Sequence, residues 1–247
     1  MSMFCYQCQE TARNEGCTVR GVCGKTDETA NLQDLLIYLC KGIAVVAEKA
    51  AAAGVSIREA GRFVTRSLFA TITNANFDDD RITGLIREAM EVRDDLRRKL
   101  KAETAGGLPD CAVWSSNDPT EFREKATEVG ILSTGEGDQR SLRSLLLFGL
   151  KGISAYADHA AVLGFEDDEI YRFLMEGLAS TTRELETEKM VDLVLQAGET
   201  AVRTMALLDQ ANTETYGHPE ITEVDIGVRD NPGILISGHD LKDMEDL

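Results

Sequence analysis

The chain has 247 residues, with 26 Lys and Arg against 43 Asp and Glu, so its net charge is −17. Such an acidic surface repels phosphate backbones and argues against a nucleic-acid partner. No run of 18 apolar residues is present to span a membrane, and abundant Ala and Leu with few aromatics favour helices in one large or two small domains.

The first informative stretch is MFCYQCQETARNEGCTVRGVCGK. Four of the six cysteines, Cys5, Cys8, Cys17 and Cys23, fall there in a C-x2-C-x8-C-x5-C pattern, while Cys40 and Cys111 are scattered. Four soft thiolates on one short loop form a complete ligand set for a metal centre. A disulfide framework suits small secreted chains without a core, whereas this chain is long enough to bury one. Structural zinc sites usually show two C-x2-C knuckles, and only Cys5 and Cys8 form one here. Iron–sulfur clusters tolerate unequal spacings. Spacing therefore favours iron–sulfur while leaving zinc and redox thiols open. No export signal is read ahead of Cys5, so a reducing cytoplasm is the expected compartment.

Thr26 and Asp27 can cap a helix in which Leu32, Leu35, Leu36, Leu39, Ile43, Val46 and Ala50 follow the 3.6-residue period and Gly54 supplies the stop. Ser56-x-x-Glu59 reads as a capping box for a second helix. A third begins at the acidic run Asp78–Asp80, which suits the positive helix end better than a cation site, and continues to about Leu100. Its expected buried stripe is Leu85, Ala89, Val92 and Leu96. Residues 105–119 break the periodicity, Cys111 and Trp114 read as packing residues, and Pro119 suits the first position of a short helix.

Residues 36–55, LIYLCKGIAVVAEKAAAAGV, match residues 146–165, LLFGLKGISAYADHAAVLGF, at an offset of 110 with eight of twenty positions identical. Arg62-Phe63 meets Arg172-Phe173 at the same offset, and the third helices align after a two-residue slip. This is an internal duplication of a three-helix unit, expected to give two similar bundles. Both copies carry Lys-Gly in mid-helix, and the repeated Gly42 and Gly152 suggest close helix–helix approach. His159 replaces Lys49 of the other copy and is expected on a solvated or half-buried face.

After Gln210 the pattern changes. VDIGV (224–228) and GILISG (233–238) read as short strands, the second leading into His239 and Asp240. Ligands favour the carboxyl ends of such strands, so His239 is a candidate site residue. The expected divisions are a cluster loop (1–26), a first three-helix bundle (27–104), a connection (105–137), a second three-helix bundle (138–211) and the first strands of a truncated α/β domain (212–247). The fold class is mainly α.

Three places together, the cysteine stretch FCYQCQETARNEGCTVRGVCGK, the duplicated helices and PGILISGHDLKD, resemble the hybrid cluster proteins, also called hydroxylamine reductases or prismane proteins. The resemblance implies that Cys5, Cys8, Cys17 and Cys23 hold a [4Fe-4S] cluster. It also implies that His239 is a ligand of a hybrid [4Fe-2O-2S] cluster whose other ligands lie beyond residue 247. The implied activity is reduction of hydroxylamine to ammonia, or of nitric oxide to nitrous oxide, with electrons supplied by a donor protein. The acidic charge and the lack of a long apolar run leave no nucleic-acid or membrane partner expected. On this reading the 247-residue chain alone is inactive, and the alternative is a stand-alone iron–sulfur electron-transfer module.

Overall fold

A computed structural model describes residues 2–100, 107–135, 137–228, 230–234 and 242–247. Eight α-helices and no strand occur among them: α1 (Asp27–Ala52), α2 (Arg58–Ala70), α3 (Asp79–Arg98), α4 (Pro119–Glu128), α5 (Gly137–Val162), α6 (Asp168–Ser180), α7 (Thr187–Tyr216) and the short α8 (Lys242–Asp246). The duplication is explicit in these bounds. Helices α1 and α5 start and end 110 residues apart, as do α2 and α6. Both α1 and α5 are followed by a left-handed glycine, Gly54 at φ +76° and Gly164 at φ +87°, a conformation an L side chain rarely takes.

Local chemistry explains the starts. Thr26 accepts from the Thr29 backbone N–H, Asp78 from that of Arg81, and Asp118 from that of Thr120 just ahead of Pro119. Each satisfies an orphan donor of a first turn. The Ser56 capping box does not form: α2 begins with Ile57 at the cap and no side-chain cap bond, and Ser56 Oγ only accepts from Arg58 N at 3.5 Å.

The two units share one continuous core. Within each, the first and third helices pack together, α1 on α3 and α5 on α7. The second helices reach across. α2 packs more extensively on α5 than on α1, and α6 more extensively on α1 than on α5. The two second helices also meet each other, and Gly61 of α2 permits it, because a Cβ there would sit 2.6 Å from the ring of Tyr171 on α6. Helix α1, touched by α2, α3, α4 and α6, is buried nearly all round, as expected of a helix whose apolar residues are not confined to one stripe.

The mid-helix glycines part company. A Cβ on Gly42 would meet the Cys111 carbonyl oxygen at 2.0 Å, so Gly42 admits the backbone of the 110–112 turn rather than another helix. Gly152 faces open space. Cys111 is buried and Trp114 packs on Phe122, with ring centroids 6.2 Å apart. His159 is half-buried against Phe69 at 5.4 Å.

The expected strand at 224–228 is absent, and Val224, Ile226 and Val228 are exposed. A strand needs a paired edge and a covering face, and no described residue supplies either. The second expected strand lies mostly outside the described residues, as does His239. No described helix is long and apolar enough to cross a membrane.

Candidate metal centre

The four N-terminal cysteines sit on a loop fastened to the start of α1. Cys5 and Cys17 pair their backbones in one antiparallel bridge, with N–H···O distances of 3.1 and 2.8 Å. Met3, Cys17 and Ala30 form a small apolar cluster beneath the loop, separate from the main core. Between the second and third cysteines the chain turns through Arg13 and Asn14, both left-handed at φ +58°. Such conformations in non-glycine residues concentrate at sites where the backbone is held for a purpose.

All six cysteines are free thiols, which removes the disulfide reading. Cys17 is buried, and Cys5, Cys8 and Cys23 are partly exposed. Burial raises the Cys17 thiol. Hydrogen bonds from the backbones of Ala12 and Val22 and from Thr11, together with the Lys25 charge, outweigh that and bring its pKa below the usual thiol value. A lowered thiol is readied as a thiolate ligand. The Thr11 hydroxyl lies 3.0 Å from Cys5 O and 3.8 Å from Cys17 Sγ, and so links two of the four. Gly21 leaves room for a third: a Cβ there would stand 3.0 Å from Cys23 Sγ.

Among the described residues no three His, Cys, Asp or Glu side chains gather tightly enough to enclose a single metal ion. Four free thiols on one loop match in number the ligands a four-iron cluster takes, one thiolate at each corner. By contrast Cys40 is fully buried, its thiol pushed up to about 12 by burial, and Cys111 is held at about 11, again chiefly by burial. Both are inert packing thiols.

Sequence reasoning missed the polar frame behind the loop. Gln7, inside the C-x2-C knuckle, donates to Thr71 O at 3.3 Å and accepts from Lys151 Nζ at 3.0 Å. Lys25, just after Cys23, donates to Gln33 Oε1 at 2.5 Å. The repeated Lys-Gly pair was the available signal for Lys151, but its direction depends on how the two units pack.

Residues 3–247 match the Prismane/CO dehydrogenase family. A hydroxylamine reductase of Desulfosudis oleivorans is 61% identical, the match covering 99% of this chain and 45% of that protein. Those of Halothermothrix orenii and Nitratidesulfovibrio vulgaris are 60% and 57% identical, with 100% and 99% of this chain covered and 46% of each relative. The chain thus spans a little under half the length of these relatives. A match over nearly every residue, on a duplicated helical fold fronted by a loop of free cysteines, establishes that the chain belongs to the Prismane/CO dehydrogenase family.

Proposed function

We propose that this chain is the electron-relay portion of an iron–sulfur oxidoreductase that reduces hydroxylamine to ammonia and water, or nitric oxide to nitrous oxide. The observation that carries it is the loop of four unpaired cysteines in a chain similar to hydroxylamine reductases along its whole length. Cys5, Cys8, Cys17 and Cys23 would hold a [4Fe-4S] cluster, which supplies one-electron transfer when bound. With every corner met by a thiolate, such a site has no open position for substrate and acts as a relay.

The chain's own residues prepare that site. Thr11 and the backbones of Ala12 and Val22 favour the Cys17 thiolate. Gln7, pinned by Lys151 and Thr71, holds the knuckle against the end of α2 and the middle of α5. Lys25 places positive charge beside the thiolates. His239 would contribute one ligand to a hybrid [4Fe-2O-2S] cluster where substrate reacts, the remaining ligands coming from beyond residue 247. Hydroxylamine reduction takes two electrons and two protons as the N–O bond breaks, so the relay delivers one electron at a time from a donor protein. The reducing compartment that free cysteines favour is the cytoplasm.

Anaerobic purification followed by metal analysis, absorption and electron paramagnetic resonance tests the reading. Four irons per chain and a brown chromophore are expected. A colourless chain with one tightly bound zinc would overturn it. Hydroxylamine turnover by these 247 residues alone would overturn the relay assignment.

A further inference from the structure

A cavity of about 60 Å³ lies between the cysteine loop, α1, the 129–134 segment and α5. Five cations line it, Lys25, Lys41, Arg140, Arg143 and Lys151, against the single carboxylate of Asp34. This runs opposite to a chain of net charge −17. Lys41 and Lys151 occupy the same position in the two repeats, so each unit contributes one lysine to the same space.

Buried charges are normally met by opposite charges. Lys25 and Lys151 are only 2% and 5% exposed, yet they are met by neutral acceptors. Lys25 donates to Gln33 Oε1, and Lys151 to Gln7 Oε1 and, at 3.1 Å, to Thr71 O. Arg140 donates to Thr134 O and Gly135 O, and Arg143 to Thr134 Oγ1 and Arg183 O. Arg143 Nε is buried without a partner among the described residues. The Lys41 ammonium has no hydrogen bond or ion pair with a described residue. Burial first, and then the neighbouring cations, hold Lys41 and Lys151 below the usual lysine value, Lys151 at about 8, with Asp34 pulling the other way.

We propose that this cavity is a binding site for one small inorganic oxyanion. Its volume takes on the order of four water-sized probes, which suits a nitrate or sulfate and excludes a nucleotide. An anion there would accept from Arg143 Nε and Lys41 Nζ, the unused donors, and would relieve the repulsion among the lysines. Charge-assisted hydrogen bonds of this kind are the strong ones. Asp34 opposes binding and sets its affinity.

Cys5 also lines the cavity, so the rival use of these cations is to offset the charge of an iron–sulfur cluster. Calorimetric titration of the purified chain with sodium sulfate and sodium nitrate, at ionic strength held constant with sodium chloride, separates the two. A saturable one-to-one heat is expected for at least one of the probes. Lys41→Met is expected to weaken it about tenfold or more, Lys41→Arg to restore it, and Asp34→Asn to tighten it severalfold. Folding of each variant is checked by circular dichroism, and the Lys41→Arg and Asp34→Asn arms stand if Lys41→Met does not fold. Heats equal to the chloride blank, or unchanged affinity in Lys41→Met, overturn the proposal. So does an Asp34→Asn variant that binds no more tightly than the parent. A shift in cluster potential in Lys41→Met with no oxyanion heat assigns the cations to the cluster instead. A chain found to hold zinc rather than iron would overturn the relay reading and leave this test standing.

Discussion

Lys151 Nζ donates to Gln7 Oε1 at 3.0 Å, tying the middle of α5 to the residue between Cys5 and Cys8 across 144 positions of sequence. The same ammonium reaches Thr71 O at 3.1 Å, and Gln7 Nε2 reaches that carbonyl at 3.3 Å. One buried lysine thus joins the cysteine loop, the end of α2 and the second repeat. Lys151→Met keeps the length of the side chain and removes the tie. Gln7 Oε1 and Thr71 O lose a buried donor, which costs about 1–3 kcal/mol, so the thermal midpoint is expected to fall by several degrees. Iron loss to a chelator is expected to quicken severalfold, followed as bleaching of the chromophore. Equal bleaching rates would show that the tie does not guard the site.

The two repeated glycines carry opposite predictions. Gly42→Ala pushes a methyl into the Cys111 carbonyl and should destabilise the chain by about 1–3 kcal/mol. Gly152→Ala meets nothing and lies in an exposed helix interior, so it should stabilise by up to about 1 kcal/mol. Denaturant melts of the two variants side by side check both signs. If both variants shift the same way, the asymmetry between the repeats is wrong.

That asymmetry marks what the sequence could reveal. Helix positions, the Thr26 cap, the acidic start at Asp78–Asp80, the place of Pro119 and the duplication were legible because they depend on local periodicity and spacing. Whether Gly42 faces a helix or a turn depends on where the 105–119 connection lies, which periodicity does not report. Arg93 is a second case. Its side chain is fully buried, donating to Trp114 O at 2.6 Å and Cys111 O at 3.3 Å while pairing with Asp94, a role no periodicity reports. It supports the connection from within. At the candidate site the four cysteines and their spacing were readable. The polar frame of Gln7, Lys151 and Thr71 was not, since it exists only once α2 packs on α5.

Cys17→Ser is expected to cost the native cluster, because a serine oxygen is a harder and poorer iron ligand than a thiolate. Iron content and the paramagnetic resonance signal should both fall. Cys40→Ala should leave both unchanged, since Cys40 is enclosed in the main core, although its cavity should cost on the order of 1 kcal/mol. An unaltered resonance signal in Cys17→Ser would remove Cys17 from the ligand set.

Asp34 gives the pH dependence a definite sign. Burial raises its carboxyl from the ordinary 3.8 to about 6, and Lys151, Lys41 and Lys25 only partly counter it. The folded chain therefore binds this proton more readily than the unfolded chain. The contribution to stability is complete below about pH 4 and is lost as pH rises through 6. An asparagine at this position would copy the protonated shape at every pH. Asp34→Asn should thus match the parent in thermal midpoint near pH 4 and exceed it by about 6–12 °C near pH 7, measured in chloride buffers free of oxyanions. Lys151, at about 8, stays mostly protonated across this interval, so the growing gap reports the carboxylate. A gap that stays constant from pH 4 to 7, or that shrinks, would mean that Asp34 is ionised and stabilised by its lysines throughout.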